Sequence, residues 1–153
     1  MTTISERQYT LAATARMADL TPATLRNWCD REFMLLSMDA GKWRRFCAFD
    51  VLKVALSGRL SEMGIPVKNA CYLGGAIPQH AARSIADYAD PASVLKGMVE
   101  AFGAAKTIVY RDGERWTTIL DDNIGNIELP ACYIVIDSVA VAKTVCARMI
   151  AAD

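Results

Sequence analysis

Basic and aromatic side chains alternate in one short segment of the chain. Lys42, Arg44 and Arg45 place three cations within four residues, and Trp43 and Phe46 are interleaved with them. Lysine and arginine bind phosphate oxygens, so this pattern suits contact with a phosphate backbone. The alternative is a basic hairpin whose charges only keep it soluble.

A second group of polar side chains falls on a predicted helix at 22–30. Three side chains of this segment recur at helical spacing and should face inward: Leu25, Trp28 and Cys29. Polar side chains fall largely on the other faces: Thr24, Arg26, Asn27 and Asp30. Arginine and asparagine pair bidentately with guanine and adenine edges, so this outer face has base-reading chemistry. The alternative is a solvated helix face.

Two closely linked helices would position these residues. Apolar spacing predicts a first helix at 9–17, which Thr10 can cap. Thr21 is a favourable N-cap and Pro22 suits the first helical position, so the second helix should begin there and end near Asp30. Because only a few residues separate the two helices, they predict a helix-turn-helix.

The segment that follows predicts a pair of strands. Residues 33–36 are apolar and extended, residues 37–41 form a turn, and the alternating segment 42–46 is typical of a strand. Two strands with an exposed tip after a helix-turn-helix make a wing.

The rest of the chain predicts further helices and then a β-rich region. Helices are predicted at 50–62, 67–73, 78–88 and 91–102, and Gly74-Gly75 is expected to be a flexible break. Strands are predicted at 107–110, 115–120 and 131–136, with a hairpin at Asp112-Gly113. Asp137-Ser138 should cap a final helix at 139–151.

The predicted fold class is α+β with two domains. A winged helix-turn-helix occupies residues 1–75, and a small α/β module occupies residues 76–153. The boundary is placed near residues 75–90.

Composition restricts the class of protein. The chain has 153 residues with 17 basic and 17 acidic side chains, so it is not a polybasic coating protein. Residues 1–70 nevertheless hold ten basic and seven acidic side chains, a balance of +3, which leaves −3 for residues 71–153. This asymmetry favours a polyanionic partner for the N-terminal half. The longest apolar run is too short to span a membrane and residues 1–20 do not form a signal peptide, so a cytoplasmic location is expected.

Catalytic and metal-binding motifs are not found in the sequence. His80 is the sole histidine, and a lone histidine is more often a surface or capping residue than a catalyst. Asp121 and Asp122 lack a third ligand at a convincing spacing. The five cysteines contain no CxxC motif and predict buried thiols, with a metal or thiol-sensing pair of Cys132 and Cys146 as the alternative. We expect no enzymatic activity and no cofactor.

The N-terminal 70 residues resemble the DNA-binding domain of the MerR family of bacterial transcription regulators. The matching stretches are Tyr-Thr-Leu-Ala at 9–12, Leu-Thr-Pro-Ala-Thr-Leu-Arg-Asn-Trp at 20–28, Gly-Lys-Trp-Arg-Arg-Phe at 41–46, Asp-Val-Leu at 50–52 and Leu-Ser-Glu-Met-Gly-Ile-Pro at 60–66. Their order and spacing also match, and together they cover somewhat under half of the chain.

The resemblance implies a winged helix-turn-helix with a second helix pair after the wing. It implies that Thr24, Arg26 and Asn27 lie on the recognition helix, and that Trp28 is an aromatic able to pack and to touch the DNA backbone. It places Arg44 at the wing arginine that grips phosphate, flanked by Lys42, Trp43 and Arg45. Family members usually continue into one long dimerisation helix, whereas Gly74-Gly75, Pro78 and Pro91 interrupt the corresponding stretch here.

The expected function is that of a sequence-specific DNA-binding transcriptional regulator of bacterial or phage origin. One alternative is an excisionase-like or DNA-packaging architectural protein, and another is a protein-interaction or ligand-binding module without DNA binding. The expected partners are double-stranded DNA and a second copy bound through the C-terminal half. RNA polymerase and a small-molecule effector are further candidates.

Overall fold

The described part of the chain combines helices with an antiparallel sheet. The computed structural model describes residues 8–34, 45–85, 106–120, 125 and 128–152. Within them lie five helices: α1 (Leu11–Met17), α2 (Pro22–Asp30), α3 (Ala48–Glu62), α4 (Val67–Ile85) and α5 (Ser138–Ala151). The strands are β1 (Thr107–Asp112), β2 (Arg115–Leu120) and β3 (Ile134–Ile136). The predicted mixture of α and β structure is confirmed.

Local capping starts α2 where the sequence predicts it and α1 two residues later. The Thr10 hydroxyl accepts a hydrogen bond of 3.2 Å from the amide of Ala13, and α1 therefore starts at Leu11 rather than at residue 9. The Thr21 hydroxyl accepts one of 3.1 Å from the amide of Thr24. Side-chain oxygens at these positions satisfy amides that the helix itself leaves without acceptors.

Three helices end in the same capping motif. The residue after each C-cap adopts a positive φ, which is 58° at Asp19, 58° at Glu32 and 91° at Gly64. The next amide donates back to a carbonyl of the last helical turn, in the pairs Leu20–Ala15, Phe33–Trp28 and Ile65–Leu60. This is the Schellman motif, which usually places glycine at the positive-φ position. Only α3 follows that preference, because α1 and α2 place acidic residues there.

The central helix α3 is buried on nearly every side because α1, α4 and α5 all pack against it. Its N-terminus is closed by the buried carboxylate of Asp50, which accepts a hydrogen bond of 3.0 Å from the Cys47 amide. A helix that is buried on nearly every side is typical of the middle of a core.

The predicted break at Gly74-Gly75 is wrong, because α4 continues without interruption from Val67 to Ile85. Buried side chains at Ala70, Leu73 and Ile77 form one stripe across the two glycines. Packing of this stripe against α3 overrides the low helix propensity of glycine, and helical structure also passes through Pro78. The separate helix predicted at 78–88 is therefore the second half of α4.

The strands form a sheet of order β2-β1-β3 in which both pairs are antiparallel. Asp112 pairs with Arg115, so the turn consists of Gly113 and Glu114 and lies one residue later than predicted. The strand predicted at 131–136 is limited to β3. A buried hydrogen bond of 2.8 Å between the Thr107 and Ser138 hydroxyls joins β1 to the start of α5.

Helix α5 packs against the helices of the N-terminal half. Its buried side chains form one stripe: Ala142, Val145, Cys146 and Met149. They belong to the same buried cluster as the side chains of α1, α2 and α3. Helices α1 and α3 of the same chain cover this stripe. Ile150, which is 51% exposed, lies outside the stripe.

None of the helices in the described residues is long and apolar enough to cross a membrane. The helix predicted at 91–102 and the aspartates Asp121 and Asp122 lie outside the described part of the chain. The division into domains at 1–75 and 76–153 stays a prediction, and the buried cluster crosses it.

Candidate nucleic-acid interface

One face of α2 is exposed and polar, as the sequence predicts. Arg26, Asn27 and Asp30 are exposed, whereas Leu25 is fully buried and Trp28 is 5% exposed. The predicted orientation of this helix is confirmed. Arg26 and Asn27 are consecutive exposed residues, so their guanidinium and amide groups are both accessible to a ligand.

The N-terminal end of α2 is held by its own side chains. Thr24 is half-buried, and its hydroxyl lies 2.8 Å from the hydroxyl of Thr21. This contact engages Thr24 in the cap of the helix, while Pro22 and Ala23 beside it are exposed. Among the predicted site residues of α2, Arg26 and Asn27 therefore carry the most accessible polar groups.

Trp28 lies in the hydrophobic core. It belongs to the buried cluster together with Leu25, and the amide of Phe33 donates a 3.0 Å hydrogen bond to its carbonyl. With 5% of its surface exposed, the ring supports α2 from inside and offers little area to a ligand. The inward spacing predicted this burial, whereas the resemblance had also implied a contact with the DNA backbone.

The predicted wing is described only at its two ends, residues 33–34 and 45–46, and the strand predicted from residue 33 does not include residues 33 and 34. Lys42, Trp43 and Arg44 lie outside the described residues, while Arg45 is exposed. Phe46 is fully buried and forms an antiparallel bridge with Tyr9, through N–O hydrogen bonds of 2.8 and 3.0 Å.

The bridge fixes the direction of the neighbouring side chain. Because alternate residues of an extended chain face opposite sides, burial of Phe46 points Arg45 outward. The sequence interpretation placed Tyr9 in a helix and missed this pairing.

An ion-pair network that the sequence did not reveal lies at the turn between α1 and α2. The Asp19 carboxylate oxygen Oδ2 lies 2.8 Å from Nη1 of Arg148 and 2.9 Å from Nη2 of Arg59. Arg59 also reaches the carboxylate of Glu62 at 3.0 Å. The hydrogen bond from Arg148 holds the pKa of Asp19 below its ordinary value of 3.8; partial burial opposes the shift and the charge of Arg59 adds to it.

The Arg148 guanidinium also caps the C-terminal end of α1. Arg148 Nη1 donates a 2.7 Å hydrogen bond to the carbonyl of Met17, the last residue of α1. That carbonyl has no intrahelical donor, and a cation at a helix C-terminus is electrostatically favourable. One signal for this network was present in the sequence. Asp19 is an acidic residue at the end of α1, in a position where glycine is usual.

The thiols do not form a metal centre in the described residues. Four of the five cysteines are buried and Cys132 is exposed, and all five are free. No group of three or more potential metal ligands occurs within the part of the chain that the structure describes. His80 lies on α4, past its midpoint, rather than near a helix start.

No protein-family model and no curated protein matches this chain.

Proposed function

We propose that the chain is a sequence-specific DNA-binding transcriptional regulator, in which α1 and α2 act as a helix-turn-helix. The observation that carries the proposal is the exposed pair Arg26 and Asn27 on α2, opposite the buried Leu25 and Trp28. A helix anchored along one side by its core presents the other side as a rigid surface. Such a surface can enter a major groove, which is about 12 Å wide.

The two exposed side chains have complementary reading chemistry. Arginine donates two hydrogen bonds to guanine, and asparagine both donates to and accepts from adenine. Arg45, together with Lys42 and Arg44 of the wing, would contact phosphates and fix the register. Trp43 would contact DNA beside these cations, whereas Trp28 supports α2 from the core.

A two-fold dimer would present two copies of α2 to a two-fold site. We propose the C-terminal half as the dimerising part and as the part that meets RNA polymerase or a small-molecule effector. Exposed apolar side chains at Tyr133, Val135 and Ile150 are available there.

Titration of randomised and selected DNA duplexes at several salt concentrations tests the proposal. We expect a preferred sequence together with a steep salt dependence, because base contacts and released counterions act together. A steep dependence without any preferred sequence would support an architectural protein. Absence of binding at low salt would remove both functions and favour a protein-interaction module.

Two substitutions separate base reading from phosphate contact. Arg26→Ala should cost about 1–3 kcal/mol on the preferred site and relax the preference at one base pair. Arg44→Ala should weaken binding to all sequences about equally and reduce the salt slope by about 1. Lys143→Ala, at an exposed position of α5, is the matched control. It should leave both the affinity for the preferred site and the salt slope unchanged.

A further inference from the structure

Asp19 occupies a left-handed backbone conformation that glycine adopts more readily than any other residue. Its φ of 58° lies at the glycine position of the Schellman motif that ends α1. A side chain there costs conformational energy that glycine would avoid. At position 19 the side chain makes contacts that glycine could not make. Here the carboxylate binds Arg59 and Arg148 through one oxygen.

The two arginines come from different parts of the fold. Arg59 belongs to α3, which packs directly against α1, whereas Arg148 belongs to α5 and lies 131 residues from the Met17 carbonyl that it also binds. The four residues between α1 and α2 determine how the two helices are oriented. Arg148 therefore contacts the turn from which α2 starts.

The Asp19–Arg148 contact is partly exposed to solvent and borders a cavity. A cavity of about 210 Å³ lies beside it, lined by residues of α1, α3 and α5 and by the three charged groups themselves. Asp19 and Arg148 keep 41% and 36% of their side chains exposed. Any displacement of α5 would remove Arg148 from the turn without removing Arg59.

We propose that the Asp19–Arg148 contact is the means by which the C-terminal half holds α2 in its DNA-binding orientation. The proposal rests on the proposed function, since it names the device that regulates the same surface. Asp19 and Arg148 are positioning residues in this scheme, and neither touches DNA.

The direction in which one substitution changes DNA affinity distinguishes a positioning role from a simple electrostatic effect. Asp19→Asn removes a negative charge, so electrostatics alone would strengthen binding to a polyanion. The proposal predicts the opposite, a DNA affinity about two- to fivefold weaker, the range for a partly exposed ion pair. Glu62→Gln is the matched control because it removes another acidic partner of Arg59 and leaves α5 in place. It should bind DNA at least as tightly as the unchanged protein.

Arg148→Gln tests the other partner. It should weaken DNA binding by a similar factor with an unchanged salt slope, and Arg148→Lys should recover most of the affinity. A salt slope lowered by about 1 would mean that Arg148 contacts phosphate directly, and would overturn the positioning role.

Amide hydrogen exchange without DNA gives a readout that is independent of the proposed function. Both Asp19→Asn and Arg148→Gln should speed exchange at residues 18–30, while Glu62→Gln should not. If the unchanged protein binds no DNA but exchange responds in this way, only the proposed function fails. Unchanged exchange at residues 18–30 in both variants would overturn the role of the contact in holding α2, whatever the DNA result.

Discussion

Gly74 of α4 lies directly against Ser57 of α3. A Cβ atom built on Gly74 would lie 2.7 Å from the Ser57 backbone nitrogen and 3.0 Å from the Lys53 carbonyl oxygen. Both of these atoms belong to the backbone and cannot rotate away. The glycine is therefore needed for the close approach of two helices and not for flexibility.

Gly74→Ala should destabilise the protein by about 1–3 kcal/mol, the usual cost of forcing extra volume into a packed core. Gly75→Ala is the matched control, since nothing lies within 4 Å of a Cβ atom there. The control should be neutral or up to about 1 kcal/mol more stable, because alanine is the better helix former. Denaturant unfolding measures both, and equal effects of the two changes would contradict the close packing.

Leu25→Ala and Trp28→Ala should each lower the free energy of unfolding by about 2–5 kcal/mol, because both remove large buried side chains. Asn27→Ala lies between them on the exposed face and should change it by less than about 0.5 kcal/mol. Thermal melts without DNA check this. Loss of stability in the Asn27 variant alone would mean that α2 buries its other face.

Asp19→Gly and Glu32→Gly relieve the same backbone strain at the ends of α1 and α2. Glu32→Gly should stabilise the protein by up to about 1 kcal/mol at pH 7. Asp19→Gly should gain less or nothing, because it also removes partly exposed ion pairs worth about 0–1 kcal/mol each. Denaturant unfolding of the two variants side by side measures the difference, and a larger gain at position 19 would contradict a useful role for its carboxylate.

The contribution of Asp19 should also depend on pH. Because its folded pKa is lowered, the stabilisation is complete above the ordinary value of 3.8 and is lost as pH falls through the lower folded pKa. Unfolding free energies of the unchanged protein and Asp19→Asn should therefore converge in that acidic range. A constant difference between them down to the lowest pH would argue against the ion pair.

Only Cys132 should react rapidly with a thiol reagent at pH 8. Burial raises the pKa of the Cys71 and Cys146 thiols to about 11, which suppresses the reactive thiolate, and Cys29 and Cys47 are buried as well. We expect one fast thiol per chain and four that react only as the protein unfolds. Cys132→Ser should abolish the fast phase, and a second fast thiol in that variant would show that one buried site opens.

Local signals predicted the elements whose stabilising contacts are close in sequence. Thr10 and Thr21 define the starts of α1 and α2 because each hydroxyl accepts a hydrogen bond from an amide three residues away, and Pro22 suits the first position of α2. The spacing of Leu25 and Trp28 predicted which face of α2 is buried, and Asp137 predicted the start of α5 by accepting from the Ala140 amide.

Contacts between distant residues could not be predicted in the same way. Gly74 was interpreted as a break because glycine is usually flexible, and its approach to Ser57 of another helix leaves no trace in the local pattern. The pairing of Tyr9 with Phe46 and the contact of Arg148 with Asp19 depend likewise on how separate elements pack. For the candidate site, the polar face of α2 was therefore predictable, whereas the contact that joins it to α5 was not.

The docking of α5 has a consequence for synthesis on the ribosome. Helix α5 covers one side of the core formed by α1, α2 and α3. Its residues, 138–151, are translated after all the other described helices and strands. Until then, buried positions of α1 and α3 have no cover on that side, and nascent chains with exposed apolar surface are prone to aggregate. The caps of the short helices α1 and α2 are translated early, but the core that stabilises these helices is completed only after α5 has left the ribosome.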